Sequence, residues 1–106
     1  MKIVGVAACT AGIAHTYIAA EKLRKGALAR GHEVYVETQG TIGVENELSQ
    51  EQIDAADLVI LAVDIKINGE ERFTGKRIVR VKTATVIKSP VQFMEKVEAE
   101  LAKTKN

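Results

Sequence analysis

The segment KIVGVAACTAG, residues 2–12, decides the fold class. Its first seven residues are apolar except for Lys2 and rich in Ile and Val, which is typical of a buried strand. The strand ends at CTAG, residues 9–12, and apolar side chains then recur at spacings of three and four, which predicts a long helix. The recurring side chains are Ile13, Tyr17, Ala20, Leu23 and Ala27. Gly31 is a typical C-terminal stop for that helix.

The middle of the chain continues the alternation of strands and helices. Residues 33–38 alternate between apolar and polar side chains, which predicts a second strand near the edge of a sheet. Residues 39–48 contain two glycines and are expected to form a long loop. Ser49 and Gln52 form a capping-box pattern, which predicts a short helix ending at Ala56.

The last part of the chain contains two more strand patterns and another helix. Residues 58–63, LVILAV, are the clearest buried strand, and the polar residues 64–76 are expected to form a loop with one helical turn. Residues 77–82 alternate again and predict a fourth, weaker strand. Ser89 and Pro90 are typical of a helix start. The apolar side chains of that helix are Phe93, Met94, Val97 and Leu101.

The order of these elements predicts a single α/β domain over residues 1–106, ordered to about residue 100. We expect a three-layer sandwich, in which an open, mostly parallel, four-stranded sheet carries helices on both faces. The short polar tail that begins at residue 103 is expected to be frayed.

Four chemically varied segments follow the ends of the predicted strands. Cys9 follows the first strand and Gln39 the second, whereas Asp64 and residues 72–76 follow the third. Because parallel strands end at one edge of a sheet, we expect these segments to meet there. Ligands bind at that edge in open α/β sheets.

Composition excludes several classes of function. Fifteen Lys and Arg residues balance fourteen Asp and Glu residues, and the resulting formal charge of +1 argues against a nucleic-acid partner. The longest apolar run, LVILAV, is far too short to cross a bilayer, so direct membrane insertion is not expected. A single cysteine excludes an internal disulfide and fits the cytosol. With only two separated histidines beside it, no metal site is expected, and no cofactor either.

Cys9 lies at the junction of the first strand and the first helix. Small residues at Ala11, Gly12 and Ala14 let the backbone curve tightly and point several N–H groups inward. Together with the helix dipole, those groups form an anion site, and the same environment favours thiolate over thiol. These residues alone leave two interpretations open, a nucleophilic cysteine and a buried structural one.

The spacing from Cys9 to His15 is that of the tyrosine-phosphatase signature, Cys-x5-Arg, with His in place of Arg. The phosphate-cradling spacing is kept, but the permanent bidentate cation is absent. A hydrolase also needs an acid for its leaving group and a base for water, and the loop contains no Asp. A phosphate accepted by Cys9 is therefore expected to persist rather than to hydrolyse.

Residues 9–21, CTAGIAHTYIAAE, resemble the active-site segment of the fructose-type IIB component of the bacterial sugar phosphotransferase system. VETQG at 36–40, RFTGK at 72–76 and Asp64 extend the resemblance, which runs in register from residue 1 to about residue 100. It implies a small parallel α/β sandwich. Many members of that family are domains of longer polypeptides, and this chain is expected to be a free-standing version.

The resemblance implies a phosphotransferase with a phosphocysteine intermediate. Cys9 would accept a phosphoryl group from a phosphohistidine of a IIA protein or domain. It would then pass the group to a fructose-like sugar bound by the membrane-embedded IIC component. The implied location is the cytoplasm, with recruitment to the inner face of the membrane by the IIC partner.

The resemblance also implies the site residues, with Cys9 as the catalytic group. The expected phosphate-binding residues are Thr10, Ala11, Gly12, Ile13, Ala14, His15 and Thr16. At positions 10 and 11 the family usually has Pro and Thr, so this chain gains one backbone N–H and loses one hydroxyl there. The residues expected to contact a partner are Gln39, Arg72 and Lys76. As exposed cations, Arg72 and Lys76 are expected to contribute little to stability.

Two other functions use the same cysteine loop. One is a low-molecular-weight phosphatase or an arsenate-reductase-like enzyme, against which the missing Arg at position 15 and the missing second cysteine both count. The other is an anion-sensing regulatory domain.

Two further residues carry expectations about their positions. Glu37 would repel phosphate unless its side chain points away from the site. His32 is expected at the surface, at the opposite edge of the sheet.

Overall fold

Five strands form one sheet in the computed structural model of the chain, which describes residues 1–10, 12–40 and 43–103. They are β1 (Lys2–Ala8), β2 (Glu33–Gly40), β3 (Gly43–Glu45), β4 (Leu58–Val63) and β5 (Ile78–Val81). Their order is β3-β2-β1-β4-β5, and every pairing is parallel except that of β2 with β3. The predicted mostly parallel α/β sheet is confirmed, with five strands where the sequence predicted four.

Helices cover both faces of this sheet. They are α1 (Ile13–Ala29), α2 (Gln50–Ala55), α3 (Thr83–Lys88) and α4 (Pro90–Lys103), with a 3-10 turn at Glu70–Phe73. Side chains of β1 alternate between two buried clusters: Ile3 and Ala7 face α1, α3 and α4, whereas Val4 and Val6 face α2 and the 3-10 turn. The three layers predicted from the sequence are therefore confirmed.

Helix α1 packs closely against the start of α4 because its residue at the contact with Pro90 is Gly26, which has no side chain. A Cβ at that position would lie 2.5 Å from the carbonyl oxygen of Pro90, so no larger residue fits without a shift of the backbone. Helix α4 in turn buries Phe93, Met94 and Val97, as its sequence pattern predicted. None of the helices in the described part of the chain has the length and apolar character needed to cross a bilayer.

Three details differ from the sequence prediction. Strand β3 lies within residues 39–48, which were predicted to be a loop; it is only three residues long and exposes Val44, so it lacks an alternating pattern. Helix α3 has no counterpart in the prediction, because Lys82 before it provides no side-chain cap and its β-branched residues resemble a strand. Tyr17 is 41% exposed rather than buried in the α1 stripe, and its hydroxyl donates to Glu45.

The helix ends follow their sequence signals. Ser49 and Gln52 form both hydrogen bonds of the predicted capping box at α2. Gly31 adopts a φ of 80°, and the following N–H, that of His32, donates to the carbonyl of Ala27. The tail predicted to be frayed lies, from residue 104 onward, outside the described residues.

Candidate functional site

The sheet has two edges of different character, which we call the carboxyl edge and the amino edge. At the carboxyl edge the parallel strands β1, β2, β4 and β5 end, and at the amino edge they begin. Cys9 follows β1 at the carboxyl edge, and Gln39 pairs with Ala8 in the register of β1 and β2. The N–H of Asp64 donates to the carbonyl of Ala8 over 2.9 Å. The predicted meeting of these three segments at one edge is therefore confirmed.

Lys76 does not lie at the carboxyl edge, so that part of the prediction is wrong. Its ammonium donates to the carbonyl oxygens of Asp54, at 2.8 Å, and Ala56, at 3.0 Å, both at the amino edge. The physical reason is topological: residue 76 stands just before β5, and a strand parallel to β4 begins where β4 begins.

Three groups surround the thiol of Cys9, which is 5% exposed. Its Sγ lies 3.0 Å from Nδ1 of His15 and 3.2 Å from Oγ1 of Thr16, and it donates to the carbonyl oxygen of Gly12 over 3.9 Å. Thr16 is itself buried and also donates to the Gly12 carbonyl, at 3.3 Å. A nucleophile with a histidine in hydrogen-bond reach is the minimal arrangement for covalent catalysis.

The N-terminus of α1 is open towards the same loop. Gly12 stands at the N-cap with a φ of 119°, which favours glycine, and among the residues that the structure describes no side-chain hydrogen bond caps the helix. No acidic residue lies in the first turn. The backbone donors and the positive end of the helix dipole are therefore available to an anion beside Cys9.

The structure describes only some of the remaining predicted phosphate-binding residues. Thr10 and Ala14 are exposed beside the cysteine loop. Ala11 lies outside the described residues, and so does the side chain of Ile13, whose backbone begins α1. Their predicted part in phosphate binding stays a prediction.

Asp64 is held in place at the carboxyl edge by Thr83, the first residue of α3. One carboxylate oxygen accepts from the N–H of Thr83 over 3.0 Å, and the other accepts from its hydroxyl over 2.7 Å. The hydroxyl bond is the main cause that lowers the pKa of Asp64; burial opposes it, while the Thr83 N–H and the charges of Lys82 and His15 add to it. Sequence reasoning missed Thr83, because the N-cap position of α3 is Lys82 and the Thr83 hydroxyl bonds to Asp64 rather than to the helix start.

Glu37 is fully buried beneath the carboxyl edge and forms a bidentate ion pair with Arg72, with N–O distances of 2.8 and 3.0 Å. Its carboxylate also accepts from the side chain of Gln39 and from the N–H of Leu48. Burial acts to raise the pKa of Glu37, but the bonds from Arg72, Gln39 and Leu48 outweigh it and the net pKa is lowered.

This network accounts for two of the predicted partner-binding residues. The side chain of Gln39 exchanges hydrogen bonds of 2.9 Å with both backbone groups of Asn68, and Arg72 also donates to the carbonyl of Gly69. The view of Arg72 as an exposed cation is therefore wrong, because a buried carboxylate on a distant strand holds its guanidinium. Both side chains fix the loop after β4 against β2.

The amino edge contains the second histidine. His32 lies there as predicted, but it is partly buried: Nδ1 is 3.1 Å from the N-terminal amine of Met1, and Nε2 is 2.6 Å from a carboxylate oxygen of Glu98. Arg30 forms a second ion pair with Glu98 at 2.8 Å. The bonds from Arg30 first, and then from His32, lower the pKa of Glu98 to about 2. Among the described residues no cluster of metal-ligating side chains is present.

Known proteins resemble this chain over nearly its whole length. A family model described as "PTS system, Lactose/Cellobiose specific IIB subunit" matches residues 4–99. The PTS system fructose-like EIIB component 2 of Escherichia coli K12 is 55% identical over 103 residues, which are 97% of each chain. The fructose-specific EIIB'BC component of Rhodobacter capsulatus is 41% identical over 94% of this chain, but that match is only 17% of the longer protein.

Solved structures that superpose on this chain are also named as parts of the PTS system. The solution structure of the enzyme IIB subunit of the PTS system from Escherichia coli K12 superposes with a TM-score of 0.90 at 30% identity, covering 99% of this chain and 97% of that one. A domain of the fructose-specific IIABC component from Borrelia burgdorferi has a TM-score of 0.82 at 48% identity and covers 88% of each chain.

Proposed function

Because the chain belongs to the IIB family of the bacterial sugar phosphotransferase system, we propose that Cys9 carries the phosphoryl group that this system transfers during sugar uptake. The relatives identify it as a fructose-like IIB component. The observation that supports Cys9 is its buried thiol, 3.0 Å from His15 Nδ1 and 3.2 Å from Thr16 Oγ1, at the uncapped start of α1.

The first step moves the phosphoryl group from a phosphohistidine of a IIA protein to sulfur. His15 takes the thiol proton at Nδ1, and the thiolate attacks phosphorus in line with the N–P bond. The S–P bond forms as the N–P bond breaks, and the donor imidazole keeps the electron pair. Backbone N–H groups of the first turn of α1 and the Thr16 hydroxyl donate to the phosphoryl oxygens.

The second step releases the group to a sugar presented by the membrane IIC component. A sugar hydroxyl oxygen attacks phosphorus, the S–P bond breaks, and sulfur keeps the electron pair. His15 returns the proton that it took in the first step to Cys9, so that the thiol is restored, and the hydroxyl proton passes to solvent, which supplies the proton that the donor imidazole needs. Relatives in which the matched segment is part of an EIIB'BC chain support a IIC partner, which would recruit this protein to the cytoplasmic face of the membrane.

The geometry favours a carrier over the alternative phosphatase. A phosphatase must activate water against phosphocysteine within its turnover time, which needs an acid or base at the leaving group. Asp64 is the carboxylate that follows the neighbouring strand, and both of its oxygens are occupied by Thr83. His15 also stands where the phosphatase signature has Arg. The phosphocysteine should therefore persist until an acceptor arrives.

Intact-mass analysis tests this function directly. The protein is incubated with phosphoenolpyruvate, the general phosphotransferase proteins and a matching IIA protein. We expect an adduct of one phosphate, about 80 Da by its chemical composition, that survives for minutes without acceptor. Cys9→Ser should abolish the adduct and leave the fold intact. Rapid hydrolysis of aryl phosphates, with no adduct from any IIA donor, would instead establish the phosphatase.

A further inference from the structure

A cavity of about 490 Å³ opens at the carboxyl edge, beyond the ends of β4 and β5. Both strands run parallel to β1, so this cavity lies at the same edge of the sheet as the cysteine loop. Its charged lining residues are Asp64, Lys66, Glu70, Arg80 and Lys82. We call these five residues the β4–β5 surface.

The acidic side chains of the β4–β5 surface already have partners within the protein. Both carboxylate oxygens of Asp64 accept hydrogen bonds from Thr83, and the carboxylate of Glu70 forms an ion pair with Arg80. The two lysines of this surface are exposed, and neither forms an ion pair with any residue in the described part of the chain. The surface therefore presents two ammonium groups to an anion that arrives from outside.

The β4–β5 surface is close enough to Cys9 for a docked protein to cover both. Ala8 is level with Val63 on β4, and Val63 is level with Lys82, because Val81 pairs with the residue before it. Neighbouring strands are about 4.8 Å apart, so the backbone of Lys82 stands about 10 Å to the side of the cysteine loop. A partner that buries about 800 Å² of this protein covers a disc of about 16 Å radius. A donor centred on the thiol must therefore lie over this surface.

We propose that Lys66 and Lys82 form the docking surface that attracts the phosphorylated IIA donor to Cys9. A phosphoryl group carries about two negative charges at neutral pH, and exposed cations near the point of contact raise the rate at which such a partner associates. The sequence had assigned this role to Arg72 and Lys76, whose cationic groups are held by a buried carboxylate and by backbone carbonyls of the amino edge. The role of the two lysines rests on the proposed function.

The chain offers a matched pair of control lysines, Lys25 and Lys96, which are also exposed and form no ion pair with a described residue. Lys25 lies twelve residues after the first residue of α1, about 18 Å along the helix from its start. Lys96 lies in α4 between Glu95 and Glu98, which both pair with Arg30 at the amino edge. Removing these two charges changes the net charge equally but leaves the carboxyl edge intact.

The test compares Lys66→Gln/Lys82→Gln with Lys25→Gln/Lys96→Gln in rapid-quench measurements of phosphoryl acceptance over a range of phosphorylated IIA concentrations. At low ionic strength the first variant should lower the second-order rate constant about three- to tenfold, because the attraction of the donor is lost. Its maximal rate should stay within about twofold of wild type, because the chemistry at Cys9 is unchanged. The control variant should change the second-order rate constant by less than about twofold, and the difference between the variants should disappear at about 1 M salt.

Equal slowing in the two double variants would overturn the proposal, because net charge rather than the β4–β5 surface would then attract the donor. Unchanged kinetics in Lys66→Gln/Lys82→Gln would overturn it too. If the wild-type protein forms no phosphocysteine with any IIA donor, the proposed function fails instead, and binding decides the surface. The NMR amide signals of residues 64–66 and 80–82 should then still shift when phosphorylated IIA protein is added, and their constancy would reject the docking surface as well.

Discussion

The two histidines of this chain lie at opposite edges of one sheet and have opposite chemical situations. His15 has Nδ1 3.0 Å from a buried thiol, at the start of a helix for which the described residues include no side-chain cap. His32 has both ring nitrogens engaged, one by the N-terminal amine of Met1 and one by Glu98. The same residue type is thus part of a site at one edge and part of a closed structural cluster at the other. A reactive site needs polar groups that lie close together but do not use up one another's hydrogen-bonding capacity.

Ion pairs show a second contrast between two regions of the molecule. Beneath the carboxyl edge, Glu37 is fully buried and depends on Arg72 for its charge. At the amino edge, Arg30 and Glu98 pair in contact with solvent. Because water compensates only the second pair, the two should respond very differently when one partner is removed.

The largest expected effect comes from Arg72→Met, which leaves the Glu37 carboxylate buried without a counter-charge. The free energy of unfolding should fall by about 3–5 kcal/mol. Arg30→Met, the matched change in the exposed pair, should cost far less, because water solvates the Glu98 carboxylate that it leaves behind. Urea unfolding of both variants measures the difference. Equal, small losses would contradict the contrast between buried and exposed pairs.

The contrast between the histidines is sharpened by replacing each with alanine. His15→Ala should slow phosphoryl acceptance by about a hundredfold, because the base next to the thiol is lost while the backbone donors remain. His32→Ala should leave that rate unchanged. Single-turnover transfer from a phosphorylated IIA protein measures both rates. A similar loss in the two variants would mean that the histidines act through stability alone.

A smaller effect should appear in the acid stability of the amino edge. The pKa of Glu98 is lowered from 4.5 to about 2, so its ion pairs stabilise the folded state above about pH 4.5 and are lost as the pH falls towards 2. Because the group is partly exposed, the loss should be about 1 kcal/mol or less. Urea unfolding at about pH 7 and about pH 3 should show a smaller pH dependence in Glu98→Gln than in wild type. An identical pH dependence would show that Glu98 contributes nothing in this range.

The smallest effect is expected for Lys76→Ala at the amino edge. Its ammonium donates to two backbone carbonyls there, so its removal should cost about 1 kcal/mol or less of stability. The rate of phosphoryl acceptance should not change at any salt concentration, because the residue stands at the wrong edge to meet a donor. A salt-dependent slowing in the transfer assay would show that a partner reaches the amino edge after all.

Local patterns predicted much of the fold and the centre of the site. The apolar runs at Lys2–Ala8 and Leu58–Val63 are strands, and the three-and-four spacing after Gly12 is α1. The position of Cys9 at a strand–helix junction followed from these elements alone. The location of Lys76 could also have been read from the sequence, because a residue just before a parallel strand stands at the amino edge.

Other parts could not be read from local patterns. Strand β3 has three residues and exposes Val44, so no periodicity marks it. The pair of Glu37 with Arg72 joins residues 35 positions apart, and each alone resembles an exposed charge in a sequence. Thr83 reaches Asp64 only because β5 lies next to β4 in the sheet.

The sequence by itself determined the α/β class and the family and predicted Cys9 as the nucleophile, since each depends on short-range periodicity or on a contiguous motif around Cys9. Only the tertiary structure decided which charges are internal and which side chains surround the thiol. Those contacts depend on strand order and on the burial of particular carboxylates. Strand order and carboxylate burial do not follow from any fixed spacing along the chain, because neighbouring strands in a parallel sheet are joined by crossovers of variable length.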